Sequence, residues 1–138
     1  MKVRGRRMYA GLLVATILAG LAWRMLPLGL SPFFFKYGGS ALWAMTLYWL
    51  VALLMPRVGS GRLAAIAAVT AGALEFSRLW HLAALDAFRV TLAGRLLLGR
   101  YFAYKNIAAY WIAIGFAALV DAWLVRRDRR RNLRNDGV

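Results

Sequence analysis

A chain of 138 residues has room for one domain. Hydrophobic residues make up 62% of it and its mean hydropathy is +0.58, more apolar surface than a soluble fold of this size can hide. The net charge of +14 comes without an aromatic-rich basic face or a binding motif, so membrane lipid is expected as the partner and nucleic acid is not.

The first element in chain order is a basic stretch, Lys2–Arg7, followed by the apolar run Met8–Leu26. That pattern imitates a secretory signal, and Gly20-Leu21-Ala22 is a weak cleavage site. The run resumes past Arg24, however, so it reads as a retained first helix whose Arg24 snorkels to the headgroups. Pro27 and Gly29-Leu30-Ser31-Pro32 end it, and Phe33, Phe34, Phe35 and Tyr37 form an aromatic cluster suited to the outer interface.

The second run, Ser40–Met55, stops at Pro56, and Arg57, Gly59, Ser60, Gly61 and Arg62 make a polar turn. The third run, Leu63–Trp80, carries Glu75 and Arg78 in its final third, and the last, Ile107–Val125, carries Asp121 near its end. About 20 residues cross a hydrocarbon core, so each run is adequate or slightly short. Between the third and last runs, Leu82–Phe102 is mostly apolar yet holds Asp86, Arg89, Arg95 and Arg100, with Gly94 and Gly99 interrupting. Each such charge costs about 2.5–3.5 kcal/mol at the bilayer centre. An interfacial or re-entrant segment is expected there, not a fifth crossing.

The predicted fold is therefore an all-α polytopic membrane helix bundle. It has four transmembrane helices (8–26, 40–55, 63–80, 107–125), one interfacial or re-entrant segment (82–102) and a basic cytoplasmic tail (126–138). Four crossings place 12 basic residues on the side of the termini and 7 on the other, and so put both ends in the cytoplasm by the positive-inside rule. A fifth crossing separates the two most basic segments. Small residues recur every four positions at Gly11, Ala15 and Ala19, at Ala64 and Ala68, at Ala67 and Ala71, and at Ala109, Ala113 and Ala117. Such ridges suit close helix approach, within the bundle or against a second copy or another membrane protein, and an alanine-rich composition produces them equally.

Glu75, Arg78, His81, Asp86 and Arg89 fall within 15 residues at the outer end of the third helix. Glu75 and Arg78 are i,i+3 neighbours, as are Asp86 and Arg89, so each pair can close on its own helix face. Internal neutralisation is the plain reading of the set. The functional reading begins from the depth of Glu75, about 18 Å into its run, because ionisable groups at such depth face a bundle interior or a cavity. Arg95, Arg100 and Lys105 have no acidic partner in sequence on that side and are suited either to bulk lipid phosphates or to a basic pocket for an anionic lipid. The candidate ligand-binding residues are thus Glu75, Arg78, His81, Asp86, Arg89, Arg95 and Arg100. No nucleophile elbow, phosphate loop, cofactor motif or standard metal-ligand spacing accompanies them, so no catalytic residue, cofactor or metal is assigned. The absence of cysteine removes disulfides and thiol chemistry. Asp121 is expected to pair with Arg57, Arg62 or the tail, apart from the outer site.

Glu75-Phe76-Ser77-Arg78-Leu79-Trp80-His81, then Asp86, Arg89-Val90-Thr91, Gly94 and Leu98-Gly99, resemble the signature of a bacterial membrane family, the domain of unknown function numbered 2809. Lys36-Tyr37-Gly38-Gly39-Ser40-Ala41-Leu42-Trp43-Ala44 upstream, and Asn106, Tyr110, Gly115 and Asp121 downstream, extend the resemblance over roughly residues 33–124. The family is in turn similar to VanZ-like proteins, which implies cell-envelope lipid biology and no particular reaction. The chain departs from the family pattern at Arg78, where Gln is usual, and at Ser40 and Asn106, where acidic residues are usual. Only Glu75, Asp86, Arg89 and Gly99 are carried over. The leading expectation is an inner-membrane protein that binds an anionic envelope lipid or glycolipid in an outer-leaflet pocket, shaped by Glu75 and Arg89 with Arg95 and Arg100 meeting phosphate. A transporter subunit gated by Glu75 and a structural partner of a membrane complex are the alternatives.

Overall fold

The structure is a computed structural model that describes residues 5–98 and 102–135. Among the described residues the only regular elements are helices: α1 (Arg6–Met25), α2 (Pro32–Leu54), α3 (Ser60–Ser77), α4 (Ala83–Arg89), α5 (Leu92–Leu97) and α6 (Tyr104–Asn135).

Local chemistry sets most of the boundaries. Leu26 caps α1 in an extended conformation, which suits a residue that precedes a proline. The connection then turns at Gly29, whose φ of 63° disfavours any residue with a Cβ. Pro32 opens α2 at its first position, where a missing N–H costs nothing. The second helix therefore begins eight residues before the Ser40 expected from the sequence and takes in the aromatic cluster Phe33–Tyr37. Pro56 prevents α2 from continuing, and α3 begins at Ser60 and ends at Ser77, offset from the expected 63–80. Leu82–Phe102 does not form one helix. It breaks at Thr91, whose hydroxyl accepts the Gly94 N–H at 3.0 Å and caps α5. The basic tail also differs from expectation, because α6 runs without interruption through Arg126–Arg134.

α1 packs along α2, α2 along α3 and α6, and α3 along α6. Direction follows from who meets whom. Tyr9 near the start of α1, Tyr48 near the end of α2, Ser60 at the start of α3 and Asp121 in α6 converge on one end of the bundle. Glu75 near the end of α3 meets Asn106 and Tyr110 near the start of α6 at the other. The four long helices therefore alternate up and down, with the first and last residues described at the Asp121 end. α4 and α5 pack on each other at the opposite end and are tied to it by side-chain hydrogen bonds, not by helix packing. At about 1.5 Å per residue each is near 10 Å long, a third of what a crossing requires.

The distribution of polarity is that of a membrane bundle. α1, α2 and α6 are long and apolar enough to cross a membrane; α3, with 18 residues that include Arg62 and Glu75, is not among them. Large apolar side chains such as Val69, Ile112, Phe116, Leu119 and Trp123 point outward, while Ser40, Glu75, Arg89, Asn106 and Asp121 are buried. In water that arrangement wastes the hydrophobic effect; in lipid it keeps these buried polar groups out of the hydrocarbon. Of the small-residue ridges, Ala67, Ala71, Ala113 and Ala117 are buried between helices, whereas Gly11, Ala15 and Ala19 are exposed along α1.

Candidate functional site

Glu75 sits on the last turn of α3 with none of its side chain exposed. Its Oε1 accepts the Ala103 N–H at 2.9 Å and the Asn106 amide Nδ2 at 3.1 Å. Its Oε2 accepts the Tyr110 hydroxyl at 2.8 Å and pairs with the Arg78 guanidinium at 2.5 Å. Four donors approach the capacity of an ionised carboxylate, so the charge is held without water. Two come from one face of α6, where Asn106 and Tyr110 stand four residues apart and share a side of the helix.

Arg78 completes the cluster. Besides Glu75 it reaches the Tyr110 oxygen at 3.3 Å, so the phenol donates to the carboxylate while accepting from the guanidinium. Its Nε donates to the Leu98 carbonyl at 2.5 Å, just past the end of α5.

Arg89, 3% exposed, is built into the backbone. Nη2 donates to the Ser77 carbonyl at 2.6 Å and Nη1 to the Trp80 carbonyl at 2.8 Å, oxygens released where α3 ends. A cation placed on such carbonyls satisfies them and complements the negative pole of the helix. Nη1 also donates to Asp86 Oδ1 at 3.0 Å, the neighbour one turn earlier on α4. The other oxygen of Asp86 lies 3.5 Å from His81 Nδ1, and the His81 ring is largely exposed. Gly94 lets α5 fold back on α4: a Cβ there meets the Phe88 carbonyl oxygen at 1.9 Å.

The predicted residues thus divide. Glu75, Arg78 and Arg89 are interior groups that fasten the α4–α5 cap to the bundle, at Ala103, Leu98 and the α3 terminus respectively. Asp86 and His81 lie at the edge of that fastening, and Arg95 is exposed on α5. Arg100 and Gly99 lie outside the described residues. No three of His, Asp and Glu converge among the described residues, so Glu75, His81 and Asp86 do not gather round one point. Two polar atoms in the cluster, Asn106 Oδ1 and Arg89 Nε, are buried without a hydrogen-bond partner. The Asn106 amide cannot simply be reversed, since that turns its oxygen toward Glu75.

The sequence reading left Asn106 and Tyr110 out of the site. The signal available for them was a polar pair at i,i+4 opening an otherwise apolar run. It also set Asp121 against arginines. In the structure Asp121 is wholly buried, with Oδ1 accepting from Tyr9 at 2.7 Å and Oδ2 from Tyr48 at 2.9 Å and Ser60 at 2.7 Å. These hydroxyls come from α1, α2 and α3, so one carboxylate joins all four long helices.

The match with a protein family covers residues 30–116 and carries the description "Protein of unknown function (DUF2809)". The chain belongs to that family. The matched segment contains Glu75, Arg78, Arg89, Asn106 and Tyr110 and leaves out α1 and Asp121. No solved structure matches the chain.

Proposed function

We propose that this protein is a four-span protein of the bacterial cytoplasmic membrane whose capped end binds an anionic envelope lipid or glycolipid at the outer leaflet. In this reading α3 is the fourth crossing. Its 18 residues span about 27 Å, close to the hydrocarbon thickness, and Glu75 is neutralised against Arg78. The excess of basic residues at the end where α1 begins assigns that end to the cytoplasm.

One observation carries the lipid reading. The deep ionic groups bind the cap from beneath, and the surface they hold in place is both greasy and cationic. Leu79, Trp80, Leu82, Phe88, Val90 and Leu92 are exposed on it, as are Arg95 and, at the start of α6, Lys105. Apolar side chains at that level meet acyl chains and the indole suits the interface. Among the described residues the exposed Arg95 guanidinium has no acidic partner, and its fork matches a phosphate. Glu75 and Arg89 shape the surface; Arg95 and Lys105 supply the contacts. The buried Asn106 Oδ1 and Arg89 Nε leave further polar capacity under the cap.

The gated-transporter alternative asks Glu75 to exchange protons with a pathway. A carboxylate already held by four donors is poorly suited to that work.

Mass spectrometry of gently extracted protein tests the proposal. One anionic lipid is expected to remain bound in excess over its share of the membrane, and to be lost in the double variant Arg95→Ala/Lys105→Ala. Recovery of bulk phospholipid only, in the same proportions in the variant, overturns it.

A further inference from the structure

The basic C-terminal segment continues the last helix. α6 contains 32 residues, about 48 Å of helix, whereas about 20 residues suffice to cross the membrane. Its apolar stretch ends at Val125, and Arg134 stands about 13 Å further along the axis. The headgroup layer is only about 5–7 Å deep on each side. Arg126 and Arg127 therefore lie among headgroups, while the stretch from Arg130 to Arg134 extends into water. Every residue from Arg126 to Arg134 is exposed.

Five of the six arginines on this extension share a side, and Arg129 lies off it. Trp123, Arg126, Arg127, Arg130, Arg131 and Arg134 line one open groove of about 590 Å³. Asp128 and Asn132 fall on the opposite side of the helix, at 100° per residue. The stripe is about 16 Å long and holds two rows at i,i+4 spacing, 126–130–134 and 127–131, with about 6 Å between steps. All its cations are arginines, whose forks take carboxylates in pairs. At the membrane end the Arg127 guanidinium lies 5.4 Å from the centroid of the Trp123 ring, which fixes the entrance to the groove.

We propose that this stripe docks an acidic helix of a partner protein beside the cytoplasmic face of the membrane. Carboxylates at i and i+4 repeat at the same interval as the arginine rows, so three turns of such a helix pair with the whole stripe. Headgroups cannot reach its far half. Nucleic acid is less suited, because the stripe carries a single aromatic ring, Trp123 at its membrane end, where single-strand binding stacks successive bases on several. The proposal rests on α6 crossing the membrane and is independent of what the opposite, capped end binds.

The test uses the full chain in phosphatidylcholine nanodiscs and fluorescence anisotropy. The probes are a 14-residue helical peptide with Glu in i,i+4 rows, the same composition with Glu scattered round the helix, and a 14-nucleotide oligothymidine. The aligned peptide is expected to bind most tightly and to weaken about tenfold or more in Arg130→Glu/Arg131→Glu/Arg134→Glu. Those residues touch nothing in the bundle, so an unchanged thermal transition certifies the variant. Equal binding of the two peptides, tighter binding of the oligonucleotide, or no effect of the triple variant overturns the proposal. So does loss of peptide binding when phosphatidylglycerol is added to the nanodiscs, since the stripe then lies on lipid.

Discussion

The Tyr9 hydroxyl and the Asp121 carboxylate, 112 residues apart in the chain, meet in a buried hydrogen bond of 2.7 Å. It joins the first long helix to the last, which otherwise communicate through α2. With Tyr48 and Ser60 on the other oxygen, Asp121 fixes the relative register of four helices at one end, as Glu75 fixes the cap at the other. Hydrocarbon supplies little force between helices, so directional polar contacts of this kind carry register that apolar packing leaves soft.

Tyr9→Phe removes one donor and leaves Tyr48 and Ser60 on the carboxylate. A loss of about 1 kcal/mol is expected, within the range of interhelical hydrogen bonds in membranes. Asp121→Ala removes the acceptor shared by Tyr9, Tyr48 and Ser60 and is expected to cost more than either Tyr9→Phe or Tyr48→Phe. Denaturation midpoints in mild detergent rank the three variants.

Glu75 and Arg78 are coupled. Arg78→Met leaves the carboxylate buried without its cation, and Glu75→Gln leaves the guanidinium without its anion; each is expected to destabilise by about 3–5 kcal/mol. The double variant leaves no buried charge at the pair and is expected to cost clearly less than the sum. A double-mutant cycle on unfolding free energies measures that difference, and strict additivity contradicts the coupling.

Gly94→Ala introduces a Cβ against backbone, with the Phe88 carbonyl oxygen 1.9 Å away. Backbone cannot swing aside as a side-chain tip can, so α5 must separate from α4. Hydrogen exchange is expected to accelerate over residues 83–97 while α2 and α6 keep their protection. Uniform acceleration along the chain contradicts a cap that opens on its own.

Arg89→Leu removes the guanidinium from the Ser77 and Trp80 carbonyls and from Asp86, leaving, among the described residues, Ser77 only the Trp80 N–H and Asp86 only His81. Fraying of the last turn of α3 is expected, read as faster exchange of amides 78–82, with little change at Ser60–Ala67. Arg89→Lys recovers the charge but not the fork, so partial rescue is expected.

Much of this architecture was legible in the pattern of residues. The apolar runs and basic flanks announced a membrane bundle, and the charges in Leu82–Phe102 argued against a continuous crossing there; two short helices occupy its described part. The i,i+3 pairs Glu75–Arg78 and Asp86–Arg89 close as spacing suggests, because that geometry is local. What the sequence did not disclose is tertiary. That Asn106 and Tyr110 face Glu75 depends on how α6 rotates against α3. That Asp121 takes hydroxyls from three helices depends on packing at positions 112, 73 and 61 residues away. Helix ends were displaced where capping overrode hydropathy: Pro32 started α2 within an aromatic stretch, and α6 continued because arginine is a good helix former and nothing stops it before Asn135.

Both functional proposals depend on the cap and the arginine stripe facing opposite sides of the membrane, and the lack of native cysteine makes this directly measurable. Single cysteines at Gly59, Ala83, Ala93 and Asn132, all exposed, are labelled with a membrane-impermeant maleimide on intact cells. Labelling at 83 and 93, with 59 and 132 reactive only after lysis, is the predicted result. Labelling at 132 from outside, or protection of 83 and 93, contradicts it.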